Sequence, residues 1–277
     1  MSGMVPTRAG FVSLWFASLC GGVSAQAAEP VTLDASRHYV LGASMVSSAD
    51  HLGQSDQRLR LRPLWAFQLG RFRFSTARAS RLLSLGRETV DPGVSTVLTG
   101  SERWSLSTSL QIDGARSWDQ DPMLRGLPDV RATLRGRASA RVALGPHLNW
   151  SLSGSQDLLG RGGGFRLNTG LSYHYPVSGQ TYWDLSLGTG WGNALYRQTH
   201  YGISPEAALA TGRPAYGLGA GWDSVSLGWG MTSALNRRWV AFGGLNAAQL
   251  QGAAARSPLV GRVTTYSAML GLAYRNH

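Results

Sequence analysis

Every Lys-or-Arg position in this sequence is arginine, and the arginines are spaced in a way that suggests chemistry. Arg58, Arg60 and Arg62 stand two residues apart, as do Arg135 and Arg137, with Arg131 and Arg141 in the same phase on either side. A guanidinium keeps its charge at any physiological pH and presents a planar fork of donors. A wall of arginines can therefore stabilise a permeating anion and repel cations. The same residues also allow a plainer role, in which they pair with Asp113, Asp157, Asp184 or loop carboxylates and fill an interior. The two readings stand side by side at this level.

Other chemistry-bearing residues assemble less well. The six histidines, His38, His51, His147, His174, His200 and His277, are dispersed, and none stands at zinc-ligand spacing beside carboxylates or cysteines. Each reads as a polar-face or interface residue, so neither a metal nor a cofactor is expected. Ser172 and His174 share one strand face, the minimum for a hydrolase, but no third group is evident to orient the imidazole, and the sequence points away from an enzyme. GRGGGF at 160–165 is glycine-rich like a phosphate-binding loop, yet it lacks the Lys-Ser/Thr ending and a following helix, and reads as a flexible external loop.

Residues two apart share a face only in a strand, and the elements that would position the arginines show that pattern throughout. In RLRLRPLWAFQLGRFRFS, residues 58–75, apolar side chains alternate with polar ones, break at Gly70 and resume in the opposite phase. The expected result is two strands joined by a tight turn, with Leu59, Leu61, Trp65 and Phe67 outward and the arginines inward. Alternation recurs at 103–113, 130–144, 147–157, 165–175, 181–192 and 262–275, with weaker copies at 94–99 and 216–234. In the last of these the apolar phase slips near Asp223-Ser224, which predicts a bulge. Connections are alternately short and long. Short joints fall at Gly70-Arg71, Gly100 to Glu102, Gly145-Pro146, Pro176 to Gln180 and Asn236 to Arg238; longer ones fall at 48–57, 86–93, 114–129, 158–164, 194–215 and 251–261. If every joint reverses the chain, short turns collect at one end and long loops at the other. The pattern predicts an all-β fold, a closed antiparallel transmembrane β-barrel of about 12 strands with short periplasmic turns and long external loops. A soluble β-sandwich also alternates, but it has no reason to sort its turns by end or to line its apolar faces with Trp and Tyr.

Compartment and charge fit that expectation. Arg8 precedes an apolar stretch from Phe11 to Leu19, and Ala25-Gln26-Ala27 follows. This predicts a secretory signal peptide over 1–27, cleaved before Ala28, with 28–277 forming a single barrel domain. The apolar stretch is shorter than the ~20 residues of a spanning helix, and cleavage would remove Cys20, the one cysteine. The formal net charge of +11 comes from scattered arginines rather than a basic run or helical stripe, so nucleic acid is not an expected partner. Hydrocarbon offers a backbone no hydrogen-bond partner, so an exported chain without apolar helices must close its sheet, and outer-membrane lipid is its expected surround.

Several segments resemble the MipA/OmpV family of outer-membrane proteins. HYGISPEAALATGRPAYGLGAGW, 200–222, is similar to that family's long external loop, with its Tyr-Phe-Gly-Val-Ser-like start, Ala-rich middle and small-Gly-x-Pro-Ala-Tyr ending. LGQSDQRLRLRPLWAFQLGRFRFS, LRGLPDVRATLRGRASARV, NRRW, SPLVGR and the final GLAYRN extend the likeness from about residue 36 onward. The resemblance implies an outer-membrane barrel. The family name records an association of one branch with a lytic transglycosylase in a murein-synthesising complex, and other members are described as porin-like or adhesive. It thus implies a scaffold working with a periplasmic murein hydrolase/synthase complex, a narrow anion-preferring porin as the alternative, and a surface adhesin as a third possibility resting on the loop 194–215. The chain departs from the family at its end, where Asn276 stands in place of an aromatic residue and His277 follows, and in its first loop, ADHLGQSDQ, which lacks the family's acidic, aromatic character.

Overall fold

The computed structural model describes residues 39–49, 52–76, 93–114 and 124–276. The expected leader over 1–27, Cys20, His38, His51 and His277 lie outside the described residues. Alternating side chains drive this chain into strands, and the strands run β1 (Tyr39–Ser48), β2 (Arg58–Leu69), β3 (Phe72–Ser75), β4 (Gly93–Gly100), β5 (Trp104–Asp113) and β6 (Thr133–Ala143). They continue as β7 (Leu148–Asp157), β8 (Phe165–Pro176), β9 (Thr181–Gly192), β10 (Gly221–Ala234), β11 (Trp239–Leu250) and β12 (Thr264–Arg275). Each pairs antiparallel with its neighbours in sequence, and β1 pairs with β12 from Val40↔Arg275 to Ser47↔Ala268, closing the barrel. Closure removes the two terminal edges that an open sheet would present to lipid, which supplies no hydrogen-bond partner. Among the described residues no helix is long and apolar enough to cross a membrane.

The five short joints all fall at one end. The tightest is at Gly70, whose φ of 58° lies in the left-handed region where a residue without Cβ is unstrained. The expected bulge is present: the β9–β10 register shifts between Trp222 and Ser224, and Asp223, the extra residue, is completely buried. The strand expected over 130–144 begins at Thr133, and the one over 216–234 begins at Gly221. Residues 194–215, expected as a loop, carry two helices, α1 (Ala194–Tyr201) and α2 (Pro205–Thr211). Local signals account for both. Asn193 caps α1 by accepting from the Tyr196 N–H, while Ser204 caps α2 from the Ala207 N–H, with Pro205 at the first helical position. A single turn, α3 (Gly252–Ala255), lies in the loop before β12.

The barrel is apolar outside. Leu59, Leu61, Ile112 and Leu270 are 68, 76, 82 and 70% exposed, a surface that water would penalise and hydrocarbon accepts. Outward aromatics gather toward the short-turn end. Trp239 packs edge-on to Tyr274 at 5.5 Å and Tyr39 lies 6.4 Å beyond, while Trp65, Phe67 and Phe74 stack in sequence at 5.6 and 4.9 Å. Such a girdle suits the interface, where a ring can sit in acyl chains with its edge near headgroups.

The inward face is divided. Near the short-turn end, Val40, Leu64, Ala66, Val240, Phe242 and Ala273 from β1, β2, β11 and β12 form a buried cluster, with Met269 packed against it. A Cβ on Gly271 would come within 2.2 Å of the Phe242 ring, so the glycine is what lets that ring lie flat on the β12 backbone. Toward the long-loop end the inward face of β5–β8 is polar.

Candidate functional site

The polar wall is built by strand alternation. Thr133, Arg135, Arg137, Ser139 and Arg141 take the inward phase of β6, opposite Asp113, Gln111, Ser109, Ser107 and Ser105 of β5 in that order. β7 contributes Asp157, Ser155 and Ser153 beside them, and β8 contributes Arg166 and Asn168. Of these, Gln111, Asp113, Arg135, Arg137, Ser153, Ser155, Arg166 and Asn168 border a cavity of about 480 Å³ whose other side is formed by Leu52 and by Tyr196, His200 and Tyr201 of the α1 segment.

Arg135, only 3% exposed, organises one side of the cavity. Its Nε donates to Asp113 Oδ2 at 3.1 Å, its Nη2 to the Gly163 carbonyl at 2.9 Å and its Nη1 to the Gly164 carbonyl at 3.3 Å. Asp157 holds the same loop from the strand below, accepting from the Gly163 N–H at 2.8 Å, the Leu159 N–H at 3.0 Å and the Thr133 hydroxyl. The glycine-rich segment read as a flexible loop is thus pinned by an arginine and an aspartate. Gly164 fits because its φ is 53° and because any Cβ there would collide with the Tyr196 amide and the Asn193 side chain, each 2.5 Å away.

Arg166 organises the other side. Its Nη2 donates to Asp223 Oδ1 at 3.3 Å and Ser224 Oγ at 3.2 Å, so the bulge in β10 supplies the counter-ion. Both arginines lie over the Tyr196 ring, whose centroid is 5.2 Å from the Arg166 guanidinium carbon and 5.9 Å from that of Arg135. Cations over an aromatic face are favourable, and more so when desolvated. Burial pushes the Tyr196 phenol above its ordinary range, while the positive charge of Arg166 pulls the other way.

Helix α1 is seated on this arrangement. Asn193 Oδ1 accepts from the Phe165 N–H as well as from Tyr196, Arg197 Nη1 donates to the Gly219 carbonyl at 2.7 Å, and Gln198 bonds Tyr216 and Leu218 across the loop. Tyr196, Tyr201, Leu218, Leu250 and Ala254 form a second buried apolar cluster, with Leu52 of the first loop beside it. The first loop is tied in as well, since the Gly53 carbonyl accepts from the Gly261 and Arg262 amides. Three long connections therefore fold together over the cavity.

The arginines singled out in the sequence are distributed unevenly over this interior. Arg135 and Arg137 border the cavity, and Arg141 continues the β6 inward face toward the turns. Arg131 lies ahead of β6 and is exposed, because the strand begins three residues later than the alternation suggests. Arg58, Arg60 and Arg62 face inward on β2, opposite Ser48, Val46 and Ser44, and three strands separate them from β6. The acids also divide: Asp113 pairs with Arg135, Asp157 serves the glycine loop, and Asp184 Oδ1 lies 2.9 Å from His174 Nδ1. Three contributors escaped sequence reasoning. Arg166 alternates in FRLN as clearly as the other arginines, Asp223 marks the bulge, and Asn193 is a helix-capping residue three positions before Tyr196.

A family model described as MltA-interacting protein MipA matches residues 41–276. No curated protein sequence matches the chain. Among solved structures, the chain is similar to the KdgM porin at 8% identity, over 86% of this chain and 99% of that one, with a TM-score of 0.39. A bacterial polysaccharide outer membrane secretin matches at 10% identity, over 86% and 98%, with a TM-score of 0.42. The Pseudomonas putida toluene transporter TodX matches at 8% identity, over 86% and 89%, with a TM-score of 0.37.

Proposed function

The chain belongs to the MltA-interacting protein MipA family, and from that premise we propose that this outer-membrane β-barrel is a non-enzymatic scaffold that organises a murein-cleaving partner from the membrane side. The observation that carries the reading is a lumen obstructed toward both ends. Tyr196 packs against Arg135 and Arg166 toward the long loops, and the Val40–Phe242 cluster occupies the wall near the short turns. A barrel of twelve strands lies between those whose side chains fill the interior, at about eight, and those that enclose an aqueous channel, at about sixteen. Here loops and inward side chains narrow the lumen toward both ends and leave a cavity between the β5–β8 wall and α1, and a barrel braced in this way is a rigid platform. Its short turns at 101–103, 144–147, 177–180 and 235–238 present Arg103, His147, Arg237 and Arg238 on the periplasmic side.

The test is mild-detergent extraction of the native protein followed by mass spectrometry of what accompanies it. A murein lytic transglycosylase should co-purify and should be lost when Arg237 and Arg238 are replaced by Glu. Its consistent absence overturns the scaffold reading.

One observation favours a second reading, a narrow anion-preferring pore: Arg135, Arg137 and Arg166 all border one lumenal cavity. Single-channel recording of protein whose folding has been confirmed by heat-modifiable gel mobility separates the two. Silence is expected of the scaffold. Anion-selective steps that change preference in an Arg135→Glu, Arg137→Glu double variant establish the pore.

A further inference from the structure

Neither a scaffold nor an open pore requires the chemical variety of the cavity against β5–β8. We propose that this cavity is a binding site for one acidic sugar, a hydroxylated ring carrying a single carboxylate. Its volume of about 480 Å³ falls in the ~300–1,000 Å³ range of small-molecule sites.

Three kinds of group converge there. The first is cationic. Arg166 commits Nη2 to Asp223 and Ser224, yet its side chain keeps a quarter of its surface exposed and borders the cavity, and Arg137 brings a further guanidinium to the same space. A carboxylate in the cavity would gain charge-assisted bonds from these groups. The second is neutral and polar: Gln111, Asn168 and Ser155 offer amide and hydroxyl groups that can donate or accept, as a polyol requires. The third is apolar, with Leu52, Tyr196 and Tyr201 bordering the cavity opposite the polar wall and offering contact to the C–H groups of a sugar ring. A bare inorganic anion needs only the first group and a neutral sugar only the second and third. An acidic sugar uses all three.

Isothermal titration calorimetry on the detergent-folded protein tests the proposal, with glucuronate and galacturonate as probes and glucose and inorganic phosphate as controls. Saturable uronate binding is expected, with glucose and phosphate at least about tenfold weaker. Arg166→Gln should weaken uronate binding about tenfold or more. Because Arg166 also holds Asp223, that variant is checked by heat-modifiable mobility. Asn168→Leu, which replaces an amide bordering the cavity by a bulkier apolar side chain without touching the ion pair, is expected to weaken binding about tenfold or more and carries the test if Arg166→Gln does not fold. Failure of a folded protein to bind either uronate overturns the proposal, as does phosphate or glucose binding as tightly as uronate. Capture of a lytic transglycosylase is read separately, so the scaffold can stand or fall independently of the sugar site.

Discussion

The two ends of the lumen solve the same problem in opposite ways. Near the short turns, the walls of β11, β12, β1 and β2 meet through Val40, Leu64, Ala66, Val240, Phe242 and Ala273, with no polar side chain in the cluster. Toward the long loops, β5–β8 meet the α1 segment through Arg135, Arg166, Asp113 and Tyr196, with Asp223 behind them. Apolar packing asks only for complementary volume, and tolerates substitution that preserves it. A buried ionic network asks that each donor and acceptor be met, and one lost partner exposes the rest to the cost of burial. The first end is suited to holding the barrel closed, and the second to recognising something.

The contrast can be tested by perturbing each end. The largest effect is expected from Phe242→Ala, which removes the ring resting on Gly271 and should destabilise the barrel by about 3–5 kcal/mol, read as a lowered urea midpoint in lipid vesicles. Next is Asp223→Ala. It leaves Arg166 without its buried counter-ion and should cost about 3 kcal/mol, and unlike the first change it should also displace Tyr196, visible as altered near-ultraviolet circular dichroism. A smaller loss, about 1–2 kcal/mol, is expected from Thr133→Ala. There Asp157 loses a hydroxyl donor but keeps its two backbone donors, and limited proteolysis should begin to cut at the 158–164 loop. The smallest effect is the sharpest test. Phe242 pairs with Thr232, nine residues along β10 from Asp223, a distance of roughly 30 Å at strand rise. The Phe242→Ala and Asp223→Ala costs should therefore add to within about 0.5 kcal/mol. A larger coupling energy would mean that the two ends form one cooperative unit, and the comparison would fail.

The two ends also differ in how clearly the sequence announces them. The charged wall is legible wherever one phase of a strand is polar and the other apolar, as in LRGRASARV, where β6 carries its arginines at alternate positions. The turns, the bulge at Asp223 and the strand number follow from the same alternation. The apolar end is hidden because its strands are apolar in both phases. In PLWAFQL of β2, Leu64 and Ala66 turn inward while Trp65 and Phe67 turn outward, and periodicity has nothing to contrast. Helices α1 and α2 left signals in Asn193 and in Ser204-Pro205, but these are short and lie in a segment otherwise rich in Gly and Ala. The seat of α1 on Arg135 and Arg166 is tertiary: it joins residues from β6, β8 and the β9–β10 connection, whose meeting depends on how the barrel closes.

That closure has a kinetic consequence. Every neighbouring pair of strands in this barrel is also consecutive in the chain, with one exception, β1 against β12, where Val40 meets Arg275. Eleven pairings can form hairpin by hairpin at local cost. The last must join residues more than two hundred positions apart, an entropic toll of ~5 kcal/mol if charged to the unfolded chain, and one that shrinks as the intervening hairpins register. The apolar cluster at the short-turn end straddles this one seam and brings together side chains from both strands on either side of it. Until its final strand arrives, the nascent sheet carries two open edges and an unburied half of that cluster. The packing that reads as ordinary core in the finished barrel therefore favours the last step of assembly, because it is completed only when that seam closes.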